Sequence, residues 1–201
     1  TESENTIVNY YLGNIALTNN NYELAIERYN NQYFTDDNRF YGTNLAWALV
    51  QVGESQRALE IMTEGVNSGE YTSQILIDRA QIYALAFNYT SAIQDMDSAI
   101  NLLQYDIDTK LSKAYKQRGD IIMLIYEWNS ALEDYNTAIE LDPDYAEAYY
   151  RRGILLYTMV EREDAIADFE TYLELDFDGQ FAESATEYIE NIQTELGALG
   201  G

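Results

Sequence analysis

Adjacent carboxylates occur at Asp36 and Asp37, Glu133 and Asp134, and Glu163 and Asp164. Two carboxyl groups can share acid and base work in glycoside hydrolysis when both face one cleft about 5–10 Å apart. Neighbours on a helix point apart, so these pairs are read as solvated outer faces. His and Cys are both absent. Their absence removes imidazole bases, thiol nucleophiles, disulfides and nearly every zinc or redox-metal site. The segment "ELDFDGQ" (Glu174 to Gln180) has the look of a calcium loop. With Gly179 at the sixth position, however, the twelfth is Ala185 where a bidentate Glu is required, so the stretch is read as a turn. No G-x-S-x-G, phosphate-binding loop or H-E-x-x-H is present. No catalysis, metal or other cofactor is expected. One glycosylation sequon, Asn88-Tyr89-Thr90, falls at an expected turn between helices, where chance occurrence is the better reading.

The elements that would carry these residues belong to a folded chain. Of 201 residues, 47% are hydrophobic and 13% aromatic, far too many for disorder. No apolar run approaches the roughly 18 residues that span a bilayer, and "TESENTIVNY" lacks the charged start and apolar core of a signal peptide. Thr1 is read as a processed start or as a start within a longer chain. The 35 acidic residues against 11 basic give a net charge of -24, which argues against nucleic acid and anionic membranes as partners. A Cys-free, Lys-poor, acidic surface suits an extracellular or periplasmic protein, with the cytoplasm as the alternative.

A pair of small residues twelve apart recurs along the chain: Gly13 and Ala25, Ala46 and Ala58, Ala80 and Ala92, Gly119 and Ala131, Gly153 and Ala165. The second members are spaced by 33, 34, 39 and 34 residues, the period of a helical solenoid. Each is followed four residues later by a larger side chain: Tyr29, Met62, Met96, Tyr135 or Phe169. Polar breaks such as "TNNNYE" and "VEREDA" separate the two members, so each unit is two helices and a short turn. Gly153, inside an otherwise helical stretch, is expected to let the second helix approach where the axes cross. The longest spacing places extra residues in "YDIDTKL" (Tyr105 to Leu111), which either starts the next helix a turn early or forms a protruding loop.

The pattern resembles the tetratricopeptide repeat, most closely in "SKAYKQRGDIIMLIYEWNSALEDYNTAIELDPDY" (Ser112 to Tyr145) and "AEAYYRRGILLYTMVEREDAIADFETYLELDFDG" (Ala146 to Gly179). The resemblance implies an all-α fold: a right-handed superhelical solenoid of antiparallel helix pairs in a single domain, 1–201. Its repeats fall at 6–38, 39–72, 73–106, 112–145 and 146–179, with a capping helix at 180–196. Phe177, Gln104, Glu70 and Asp37 replace the closing proline found at Pro143, and Gly65 and Gln32 stand where the family prefers another small residue. Arg79, Arg118 and Arg152 precede the small residue in the last three repeats, each with an Asp sixteen residues later: Asp95, Asp134 and Asp168. The first two repeats have Leu12 and Leu45, then Arg28 and Ile61, at those places. Arg and Asp appear and vanish together, as structural ion pairs between facing helices would require.

The resemblance also implies a concave groove lined by the first helices. In register, that wall takes Tyr10, Tyr11 and Asn14, then Phe40, Asn44 and Trp47, then Asp78 and Gln81. Lys113, Lys116, Gln117 and Asp120 follow, and Tyr150, Arg151, Ile154 and Tyr157 complete it. Lys113, Lys116 and Arg151 are expected as a basic spot on an acidic molecule. The family's clamp for a chaperone C-terminal carboxylate is not expected. Its positions hold Tyr10, Asn14, Asn44, Gln74 and Asp78, which lack all three cations. About two thirds of the 19 tyrosines are assigned to packing.

The leading expectation is a non-catalytic scaffold holding a peptide segment of a protein partner in the groove. Two alternatives are an end-to-end homo-oligomer or filament, built through the solenoid ends or the tail "GALGG", and glycan binding on the aromatic wall, reported by Trp47.

Overall fold

The computed structural model describes residues 2–30, 39–68, 72–104 and 110–199, with side chains at 7–30, 42–68, 72–104 and 110–198. Asp36, Asp37, Gln32, Glu70 and the side chain of Phe40 lie outside this description, as does most of the 105–111 stretch. Among the described residues the chain forms helices and no strand. They run in pairs: α1 (Glu2–Thr18) with α2 (Tyr22–Tyr29), α3 (Arg39–Gln51) with α4 (Ser55–Asn67), and α5 (Ser73–Leu85) with α6 (Tyr89–Leu103). Then come α7 (Lys110–Met123) with α8 (Trp128–Leu141), α9 (Ala146–Thr158) with α10 (Arg162–Leu175), and a last helix, α11 (Ala182–Leu199).

The first helix of each pair stops in the same way. Asn20, Gly53, Phe87, Tyr126 and Val160 adopt positive φ, from 56° to 84°. After four of them the next amide reaches back to a carbonyl of the helix it leaves: Asn21 to Ala16, Glu54 to Leu49, Asn88 to Tyr83 and Glu161 to Leu156, at 2.8–2.9 Å. This Schellman-type closure satisfies carbonyls the helix end would otherwise strand. Asn21 and Asn88 then cap the following helix, their side-chain oxygens accepting from the Leu24 and Ser91 amides. Capping explains Asn88 structurally.

α7 starts at Lys110, nine residues before Gly119, whereas α5 and α9 start seven before Ala80 and Gly153. The choice between an early helix start and a protruding loop falls on 105–109, outside the described residues.

By contact the chain falls into two compact units, Thr1–Ala99 and Ile100–Gly201. In the first, α3 lies between α1 and α5, and Leu45, Ala46, Leu49, Ala58 and Met62 pack with Tyr29 and Ile82 in one core. In the second, α9 packs against α10 and both α7 and α8, and α11 covers α10. There Tyr150, Phe169, Tyr172, Ala185 and Ile192 form a core.

Gly153 acts through a side chain rather than the helix backbone. A Cβ there would lie 2.9 Å from Cε1 of Phe169, and one at Gly119 would lie 3.0 Å from Cε1 of Tyr135. The ring four residues after each Ala thus rests on the glycine sixteen residues before it. Where the small residue is Ala, at Ala46 and Ala80, the partner position holds Met62 or Met96, an unbranched chain that can bend around the extra methyl.

Candidate functional site

Each arginine of the last three repeats grips an aspartate of its own repeat with two parallel bonds. Arg79 Nε donates to Asp95 Oδ2 at 2.7 Å and its Nη2 to Oδ1 at 2.7 Å. Arg118 does the same to Asp134 at 2.9 and 2.6 Å, and Arg152 to Asp168 at 2.8 and 2.7 Å. Two of these arginines also reach sixteen residues backwards with Nη1: Arg79 to Thr63 Oγ1 at 3.3 Å and Arg152 to Asn136 Oδ1 at 2.8 Å. One guanidinium therefore ties its repeat together and fastens it to the preceding one. In the second repeat, Leu45 and Ile61 are buried at the equivalent places. Of the adjacent carboxylates weighed as acid–base groups, Asp134 is thus engaged in a clamp.

On the α1–α3–α5 face, Tyr10, Asn14, Asn44, Trp47 and Gln81 are half-buried, and Tyr11 is exposed. Asn14 Oδ1 accepts both the Tyr29 hydroxyl at 2.6 Å and Asn44 Nδ2 at 2.9 Å. Among the described residues these bonds leave the Asn14 amide nitrogen and the Asn44 carbonyl unused. Asp78, placed on this wall from sequence, is 7% exposed. Burial raises its carboxyl above the ordinary carboxylate value, opposed by a 2.9 Å bond from Gln74 Nε2.

On the α7–α9 face the expected basic spot is corrected. Lys116 is 6% exposed, with Nζ at 2.8 Å from Glu147 Oε1 and 3.3 Å from Asp120 Oδ2. Burial alone would weaken its charge, but Asp120, the Tyr145 phenol and Glu147 outweigh it and hold the ammonium above its usual value. The Tyr145 phenol is itself pushed up to about 12, chiefly by burial. Arg151 lies 3.7 Å from Asp120 and 3.9 Å from Glu147, so two cations and two carboxylates neutralise one another. Lys113 is exposed and Gln117 half-buried.

Two wall tyrosines are also reassigned, because α11 covers them. Tyr150 is buried and stacks on Phe181 with centroids 4.4 Å apart. The Tyr157 hydroxyl donates to Glu195 at 2.9 Å, beside Arg162 Nε, which donates to the same carboxylate at 2.7 Å. Tyr188 of α11 stacks on Phe169 at 4.9 Å.

Reading the sequence residue by residue missed one coupling. The Tyr135 hydroxyl donates to Asp120 at 2.8 Å, as Tyr29 does to Asn14, and where the aromatic is Phe169, without a hydroxyl, the matching residue is Ile154. That signal, a polar residue after the glycine whenever Tyr follows fifteen residues on, was present in the chain.

Comparison with known proteins places this geometry. Residues 113–160 match the family model "TPR repeat" and residues 146–178 match "Tetratricopeptide repeat". Over 89 residues the chain is 30% identical to "Protein SGT1 homolog" of Oryza sativa subsp. japonica, covering 44% of this chain and 22% of the rice protein. Among solved structures, Pseudomonas aeruginosa PilF superposes with a TM-score of 0.73 at 16% identity, over 98% of this chain and 92% of that one. The first TPR domain of Spaghetti (RPAP3), bound to the HSP90 peptide SRMEEVD, does so at 0.56 and 23% identity, over 63% and 96%. The stretch 113–178 thus matches tetratricopeptide-repeat family models, and the described helices share the fold of the solved structures on which they superpose.

Proposed function

We propose that this chain is a non-catalytic interaction scaffold, and that the α1–α3–α5 face receives an extended segment of a partner protein. The observation that carries the reading is the Asn14–Asn44 pair. Its two bonds are spent on Asn14 Oδ1, which leaves one amide donor and one carbonyl acceptor on neighbouring helices. A peptide backbone offers the complementary acceptor and donor at every residue. Tyr10 and Trp47 flank the pair with half-buried aromatic surface suited to anchoring apolar side chains. The α7–α9 face is a poorer candidate, since its cations are already matched by Asp120 and Glu147. The peptide-bound RPAP3 domain supports a peptide ligand in general terms.

The test is selection of unstructured peptides from a display library on the immobilised chain, followed by calorimetric titration. Asn44→Ala, which leaves the Tyr29–Asn14 bond in place, should weaken a selected peptide by about tenfold. Unchanged affinity would move the site off this face.

A further inference from the structure

α1 packs against α2 and α3, yet it carries apolar side chains that neither of them covers. Ile7, Val8, Leu12 and Ile15 are exposed, and Tyr11 is 61% exposed. At positions 7/8, 11/12 and 15 they form one continuous stripe. Side chains of this size expose on the order of 500 Å² together, as much as the largest patch on a typical monomer. The stripe lies in an unusual stretch of sequence. From Asn5 to Tyr22 there is no charged residue, the longest such run in a chain of net charge -24.

We infer that this face is where two copies of the chain meet, α1 against α1 across a twofold axis. The stripe is self-complementary in that arrangement: Tyr11 and Leu12 sit near the axis, while Val8 of each copy faces Ile15 of the other. Two faces of on the order of 500 Å² together bury about 1,000 Å², the lower bound of a specific interface. The charge distribution selects the partner. Two chains of -24 repel wherever acidic surfaces approach, and the part of α1 from Asn5 onward, which carries no charge, is the surface on which they can touch without that cost.

α11 offers no matching surface. Glu183, Thr186, Glu187, Glu190, Gln193 and Thr194 of α11 are all exposed, so its outer side is polar and acidic. Head-to-tail growth into a filament would require an apolar face there. An isologous α1 contact uses up the apolar face of each copy and stops at two.

The experiment is sedimentation velocity of the 201-residue chain from low to high micromolar concentration. The expected result is a monomer–dimer equilibrium that tightens with added salt, as screening reduces the repulsion between acidic copies. Tyr11→Glu and Ile15→Glu should each weaken dimerisation by more than about tenfold, with helical circular dichroism unchanged because both side chains are exposed. Phe177→Glu, at an exposed turn before α11, should leave it unaltered. A monomer throughout, a dimer insensitive to the α1 substitutions, or species growing beyond two copies would each overturn the assignment. Because the readout is mass rather than peptide affinity, it succeeds or fails independently of the α1–α3–α5 site.

Discussion

A single methyl group at Gly153 would collide with the ring of Phe169, and the chain shows its own remedy. Aromatic partners occur with glycine, at Gly13, Gly119 and Gly153, and Met with alanine, at Ala46 and Ala80. Gly153→Ala should therefore destabilise by about 1–3 kcal/mol. Adding Phe169→Met should recover part of that loss, as measured by urea unfolding. Additive losses would mean that ring and methyl never compete for the space. Asp78 provides the pH-dependent counterpart. Burial raises its carboxyl above the unfolded value of 3.8, so the folded state holds that proton more tightly. Its contribution is then favourable at low pH and is lost as pH rises from 3.8 through the folded value. Asp78→Asn keeps an acceptor for Gln74. It should raise the melting temperature at neutral pH and flatten the fall in stability over that window. A lower melting temperature at every pH would show that the charge is needed.

Between facing helices, the Arg–Asp clamps connect two buried charges that need one another more than the fold needs the pair. Burial lifts the Asp168 carboxyl above its ordinary value in spite of the bond from Arg152. Asp168→Ile alone leaves Arg152 without its carboxylate and should cost about 3–5 kcal/mol. Arg152→Leu with Asp168→Ile reproduces what the second repeat does with Leu45 and Ile61, both buried. The double variant should unfold closer to the parent than to the single variant in a denaturant titration. Equal losses for the two would show that the residues do not act as a pair.

Over the whole molecule, the repeat was legible because small residues at fixed spacing have no other economical explanation, and the Arg–Asp contacts follow a regularity written in the same register. What the register could not convey is what folds over a repeat from elsewhere. Tyr150 and Tyr157 occupy wall positions by spacing, but Phe181, just before α11, and Glu195 of α11 lie upon them. Lys116 stands in the one acid-free basic run, yet its partner Glu147 comes from the next first helix, thirty-one residues on. The cations of this acidic chain are drawn largely into contacts between its own helices. Arg79, Arg118 and Arg152 hold aspartates, Lys116 and Arg151 share Asp120 and Glu147, and Arg162 holds Glu195. The outer surface is thereby more uniformly negative than the composition alone conveys.

The turn that ends each first helix has a further consequence, for how such a chain can diversify. The same left-handed backbone recurs with Asn20, Gly53, Phe87, Tyr126 and Val160, so closure by the flanking helices, rather than any residue preference, dictates it. All five residues are exposed, and of the four that carry a side chain Phe87 and Tyr126 are each 79% exposed. Substitution there alters what the edge of the molecule displays while the helices beneath keep their register. This chain therefore presents, once per helix pair, a position whose side chain can change with little consequence for the helices beneath.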